Sequence, residues 1–278
     1  LEDTPAKRAG LAAGDKILKI NSEPTDGLTV EEAVSKIRGE VGTNVTLTIL
    51  KNIDGAKTKD ITLERAVIKI PITKLEALKD NSIAHLSFYS FTSTAPFDFQ
   101  QSAVKILSTS GYKGIILDLR NNPGGYLEVA VDIAGWFFNT GDLVAIEDFG
   151  SDNGQNKTTE FRASGLGALK NYPIVVLVNQ GTASAAEILA GALRDNRGVK
   201  LIGEKTFGKG SVQELVTLKN DSSIKVTVAK WLTPKKYSIS DSGLEPDYSV
   251  SITEDDTAKG KDPQLEKAVE VLEKILNQ

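Results

Sequence analysis

Ser184, Lys209 and Gln213 are the residues whose types and surroundings could do chemistry. Ser184 lies among small residues, Gly181-Thr182-Ala183-Ser184-Ala185-Ala186, just after the apolar run Ile174 to Val178. A serine at such a strand-to-helix turn lets a substrate backbone come close. Lys209 is bracketed by Gly208 and Gly210, which allow a tight loop to aim its side chain inward. A neutral amine can take a serine proton, but an ordinary lysine titrates near about 10.4. Burial beside Phe207 is expected to disfavour the ammonium and lower that value. Gln213, four residues on, could orient the amine without adding charge. Acyl transfer also needs N–H donors for an oxyanion. The candidates are the Pro123-Gly124-Gly125 turn and the Ala185 amide at the helix start. The competing role for Ser184 is that of a helix N-cap, for which serine is well suited.

Other chemistries fare worse. The one histidine, His85, sits mid-strand between Ala84 and Leu86 and is expected to have a structural or surface role, which removes a Ser-His-Asp triad. No His, Cys or carboxylate spacing fits a zinc site, and Glu31-Glu32 and Asp255-Asp256 read as solvated acids. No metal or other cofactor is expected. Gly203 to Lys209 matches the first seven positions of a phosphate-binding loop, yet Gly210 stands where Ser or Thr should hold Mg²⁺, and a strand-like run follows instead of a helix. A net charge of −4 argues against nucleic acid as a partner. Cysteine is absent, so there is neither a thiolate nucleophile nor a disulfide framework. No run approaches the roughly 18 apolar residues of a membrane span. The opening Leu1-Glu2, without methionine, reads as a processed or truncated chain whose targeting signal is lost.

The elements that must hold these residues follow from pattern. Residues 3–14 predict a short helical turn, and 15–21 a strand centred on Ile17 and Leu18. Thr29 with Glu32 predicts a capping box opening a helix with Val34 and Ile37 on its apolar face. Residues 45–50 and 59–67 predict two strands around an Asp54-Gly55 turn. Residues 68–80 read as a connector of weak strand character. A strand at 83–88 leads to a helix over 95–108 with Phe99, Ala103, Ile106 and Leu107 on one face. A buried strand at 114–120 then runs into Asn121-Asn122-Pro123-Gly124-Gly125 and a helix through Phe138. Strand, glycine-rich turn and helix, twice over, predict a layered βαβ-type α/β core. Residues 147–167 read as a surface loop or flap. Residues 212–218 and 224–231 predict a hairpin, and 263–276 a closing helix striped by Leu265, Ala268, Val269, Leu272, Ile275 and Leu276.

Several ordered motifs carry a family resemblance. The stretch AGLAAGDKILKIN, with the helix and strands after it, resembles the PDZ domains of bacterial proteases. ILDLRNNPGGYLEVAVDIA, VVLVNQGTASAAEILAGALRD, LIGEKTFGKGSVQ and TVAKWLTPKKYSISDSGLEPD resemble the carboxyl-terminal processing peptidases, tail-specific serine proteases of the S41 type. The resemblance implies residues 1–67 as an N-terminally truncated PDZ domain. It implies 68–278 as a crotonase/ClpP-like peptidase core with C-terminal strands and helix. It further implies Ser184 as nucleophile, Lys209 as general base, Gln213 as the residue positioning the lysine, and Ala185 with Gly124 in the oxyanion-hole region. Its nucleophile and base stand 25 residues apart, the separation of Ser184 and Lys209. The family usually reads Ser-Ala-Ser-Ala-Ser-Glu where this chain has Thr182 to Glu187, so Ala186 replaces a common serine. Implied partners are proteins or peptides with exposed C-terminal tails, held by a PDZ module that adds a peptide strand to a sheet edge. The implied location is outside the cytoplasm, in the periplasm or at the cell surface, and a membrane tether would lie outside this chain. The alternative is a catalytically inactive peptide-binding protein, or a scaffold forming a homodimer through the terminal helix.

Overall fold

The computed structural model describes residues 4–12, 14–51, 58–68, 71–152, 155–218, 222–240 and 242–278. The expected Asp54-Gly55 turn and the tip of the 212–231 hairpin lie outside them. The chain forms two compact units, one of residues 1–70 with 252–262, the other of 71–251 with 263–278.

The first unit contains α1 (Pro5–Arg8), β1 (Lys16–Ile20), β2 (Glu23–Pro24), α2 (Val30–Ile37), β3 (Asn44–Leu50) and β4 (Thr58–Glu64). Its strands form an antiparallel sheet in the order β2-β1-β3-β4. Alternation along β3 sends Val45, Leu47 and Ile49 into a core shared with Ile20, Ile61 and Leu63, against which Ala33 and Ile37 pack. The capping box forms as expected: Glu32 N–H donates to Thr29 Oγ1 at 3.2 Å and Thr29 N–H to Glu32 Oε2 at 2.8 Å.

The second unit contains β5 (Thr73–Leu78), β6 (Ile83–Phe88), α3 (Ala95–Ser108), β7 (Gly114–Asp118), α4 (Leu127–Ala134), β8 (Leu143–Asp152), β9 (Gln155–Arg162), β10 (Ile174–Val178), α5 (Ala185–Arg197), β11 (Lys200–Gly203), β12 (Ser211–Thr217), β13 (Ser223–Leu232) and β14 (Tyr248–Ser249). The chain then gives α6 (Glu254–Ala258) to the first unit and ends in the second with α7 (Pro263–Leu276). Six strands form one sheet in the order β14-β11-β10-β7-β6-β5. All are parallel except β5, which runs against β6.

Both faces of the sheet's centre are covered, which is why the inner strands β7 and β10 read as near-continuous apolar runs rather than alternating ones. Leu117, Val176 and Val178 point into one core with α3, α4 and α5, while Ile116, Val175 and Leu177 point into another with α7. Four further strands pair antiparallel in the order β12-β13-β8-β9.

Four expectations need correction. Thr73–Leu78 is a full edge strand, because pairing with β6 supplies the hydrogen bonds that its weak pattern could not predict. Much of 147–167 is the β8–β9 ribbon, whose polar side chains reflect exposure and not irregular backbone. Leu107 is 40% exposed and off the buried face of α3, and α4 stops at Ala134 rather than reaching Phe138. The stripe of α7 packs on the chain's own sheet, with Leu272 wholly buried and Leu265, Ile275 and Leu276 partly buried against it.

His85 is buried, and its Nε2 lies 3.1 Å from Asp118 Oδ2. Arg120 grips the same carboxylate through Nε at 3.0 Å and Nη2 at 2.7 Å, and reaches Gln264 Oε1 through Nη1 at 3.1 Å. The network pins the end of β7 just ahead of the Asn121–Gly125 turn. Burial pushes the Asp118 pKa up, but the bonds from His85 and Arg120 outweigh it, so the carboxyl titrates below its ordinary value. A lowered folded-state pKa contributes stability that is complete above the unfolded value of about 4 and is lost as pH falls through the folded value. Asp118→Asn should therefore cost about 3 kcal/mol at pH 6. That gap should narrow only below about pH 4, as read by urea unfolding of both proteins across pH.

Candidate active site

Parallel strands end on the same side, so the loops after β6, β7, β10 and β11 leave one edge of the sheet, where open α/β sheets place their ligands. Side chains stitch these loops together. Thr182 Oγ1 donates to Leu119 O at 2.8 Å, and Asn121 N–H donates to Asn179 Oδ1 at 2.8 Å. Ala183 N–H donates to Asn122 O at 2.9 Å and Phe207 N–H to Thr182 O at 3.0 Å.

Ser184 stands at the head of α5 with φ 57° and ψ −121°, a left-handed conformation that costs a non-glycine residue about 1–3 kcal/mol. Such a strained turn between strand and helix holds a serine hydroxyl proud of the backbone, as in nucleophile elbows. Ala186 is wholly buried in the core cluster of α3, α4 and α5, so the position of the family's extra serine points away from solvent. Ser184, half-buried, is the hydroxyl at the turn.

The Pro123-Gly124-Gly125 turn meets Ser184 directly. Gly124 has φ 91°, and a Cβ there would lie 2.6 Å from Ala183 O, 2.8 Å from Ser184 Cβ and 2.9 Å from Ala185 N, so only glycine fits. The Ala185 N–H, first in α5, has no acceptor within its helix. The Gly124 N–H is already donated to Asn122 Oδ1 at 2.9 Å. Asn122 is buried, and its Nδ2 donates to Phe88 O at 2.7 Å, so it braces this turn against β6. Asn122 carried no signal in the sequence beyond its place before Pro123.

Lys209 is brought to the same edge by the loop between β11 and β12. Gly210 backs against Ser240 N and Ile239, where a Cβ would come within 2.4 Å, so the loop closes only with glycine there. The expected burial does not occur: Lys209 is exposed and Phe207 is 68% exposed. The Gly208 and Lys209 amides and the Thr206 side chain point inward instead, while the Phe207 and Lys209 side chains splay outward. Gln213 lies on β12, exposed, beside a bulge between Val212 and Gln213. Among the described residues no hydrogen bond joins Lys209 Nζ to the Ser184 hydroxyl or to Gln213. The structure thus brings the turns of Ser184, Gly124 and Ala185 together and carries Lys209 to their edge without closing the pair.

Glu187 is the main residue that sequence reasoning missed. It lies one helical turn after Ser184, has no solvent exposure, and accepts hydrogen bonds from Ser184 N–H at 2.8 Å and from Lys209 N–H at 3.0 Å. A glutamate three residues into a helix reads in sequence as an ordinary capping partner, which hides its reach across to a loop 22 residues away.

The sequence profile of Peptidase family S41 matches residues 82–250, and that of the PDZ domain matches residues 1–51. The chain is 39% identical over 270 residues to a carboxy-terminal-processing protease of Bartonella bacilliformis, covering 95% of this chain and 60% of that protein. It is 37% identical over 252 residues to the carboxy-terminal processing protease CtpA of Bacillus subtilis, covering 91% and 52%. It thus spans little more than half the length of these curated relatives. Among solved structures, the photosystem II D1 C-terminal processing protease superposes with a TM-score of 0.62 at 31% identity, over 88% of this chain and 65% of that one. The tricorn protease superposes with a TM-score of 0.54 at 18% identity, over 99% of this chain and 26% of that one, a likeness of fold alone. The strained serine turn, the glycine turn facing it and the lysine loop all fall within the matched residues, and the chain belongs to peptidase family S41, with a PDZ domain at its N-terminal end.

Proposed function

We propose that this chain carries the catalytic portion of a PDZ-linked serine endopeptidase that cleaves proteins near their C-termini. The observation that carries the reading is Ser184, held at φ 57° on the head of α5 against the Gly124 turn. In the proposed reaction the Ser184 hydroxyl attacks the scissile carbonyl and gives its proton to the neutral amine of Lys209. The new oxyanion is met by the Ala185 N–H and an amide of the Gly124-Gly125 turn. The protonated lysine then gives its proton to the leaving amine, and water releases the acyl group by the reverse sequence. Gln213 is assigned to orient the amine once a substrate covers the edge and the exposed lysine folds inward. Burial under substrate would also lower the lysine pKa towards working pH. Residues 1–67 are assigned to substrate-tail capture and 68–278 to cleavage. The setting we propose is extracytoplasmic, with tailed proteins or peptides as substrates.

A second reading is favoured by one observation, the exposed Lys209 with no bond to Ser184: a peptide holder on the same fold, without catalysis. A fluorophosphonate reagent distinguishes the two, since a working dyad is labelled at Ser184 and a holder is not. Against a protein bearing an unstructured apolar tail, Ser184→Ala and Lys209→Ala should each lower kcat at least about 10³-fold. Activity surviving in both variants would sink the dyad. Gly124→Ala should lower kcat by about 10²-fold or more, because its Cβ must push the turn away from Ser184. Near-native circular dichroism of that variant would show that the core is intact.

A further inference from the structure

The Glu187 carboxylate is fully buried with four donors around it. Oε1 accepts from Thr206 Oγ1 at 2.5 Å and Gly208 N–H at 2.8 Å. Oε2 accepts from Ser184 N–H at 2.8 Å and Lys209 N–H at 3.0 Å. One oxygen atom therefore holds the backbone of both members of the proposed dyad. A buried charge is costly unless it is fully hydrogen-bonded, and here the first turn of α5 adds its positive dipole end. Thr206, also buried, is itself fixed, since its Oγ1 accepts from Leu244 N–H at 2.7 Å. The loop that carries Lys209 is thus anchored through its amides, while the lysine side chain is exposed.

We propose that Glu187 is the positioning residue of the dyad. It locks the Lys209 backbone to the Ser184 turn, so that bringing the amine to the hydroxyl takes side-chain rotation alone and no loop movement. This rests on the dyad reading above and adds to it a division of labour: the backbone is preset, and only the Lys209 side chain is left to be set by substrate. The carboxylate itself touches neither substrate nor the transferred proton.

Glu187→Gln tests the lock. A glutamine keeps one acceptor oxygen and turns an –NH₂ toward two N–H donors, so about half of the bonds are lost. The expected result is a fall in kcat of about 10²-fold per folded molecule, with KM for a reporter peptide ending in an apolar carboxyl terminus held within about threefold. Amide exchange at Gly208 and Lys209 should rise by at least about tenfold, while Val176 in β10 stays protected. Thr206→Val, which removes the donor to Glu187 and the acceptor for Leu244 N–H with little change of shape, should lower kcat about tenfold, and Thr206→Ser, which keeps both, should restore most of that loss. The Thr206 pair reads the same lock if Glu187→Gln does not fold. A purely structural glutamate would instead lower the melting temperature and leave kcat per folded molecule within about threefold, which overturns the positioning role. Unchanged exchange at Gly208 and Lys209 overturns it as well. Inactive Ser184→Ala and Lys209→Ala beside a fully active Glu187→Gln sinks the lock alone. Activity surviving in the first two sinks the dyad and the lock together.

Discussion

The constraint on which the site depends is that parallel strands must all end at the same edge. Strands β7, β10 and β11 deliver the Gly124 turn, Ser184 and Lys209 to one rim, although these residues span 85 positions in sequence (209 − 124). Parallel pairing is stable here because helices seal both faces, with α3, α4 and α5 on one side and α7 on the other. The rim itself then needs no core of its own. It is held by polar side chains that join one loop to the next.

Those links explain how strain survives at the serine. An isolated chain would relax a non-glycine residue from φ 57° by a small rotation. Here rotation is blocked on both sides. Ahead of it, Thr182 and Ala183 are bonded to Leu119 and Asn122. Behind it, the Ser184 N–H is bonded to buried Glu187. The Gly124 turn fills the remaining space so closely that a single methyl group would collide with three atoms. Strain is thus distributed into a network whose members are mostly buried, and no single bond carries it.

Against this fixed backbone, the side chains of Lys209, Phe207 and Gln213 stand exposed. The contrast separates what folding completes from what is left to binding. Folding sets the serine turn, the first amide of α5 and the anchor points of the lysine loop. In the proposed reaction, closing the pair would require desolvation of the amine, which a covering peptide would supply. The Asp118 network supports the glycine turn from the end of β7, with its charge satisfied by His85 and Arg120 inside the protein.

The sequence by itself determined the buried strands, the amphipathic helices, the glycine turns and the family, because these are written in local periodicity and contiguous motifs. Ser184, Ala185 and Gly124 were legible for that reason, and the structure sets them against one another. Thr73–Leu78 and the β8–β9 ribbon were not legible, because edge strands owe their form to partners distant in sequence. The exposure of Lys209 was decided only by tertiary structure. Flanking apolar residues such as Phe207 promise burial, but the loop gives its Gly208 and Lys209 amides to Glu187 and turns the Phe207 and Lys209 side chains outward. Glu187 shows the same limit from the other side. Its local pattern is that of a helix cap, and its reach to Gly208 and Lys209 exists only because β10 and β11 lie side by side.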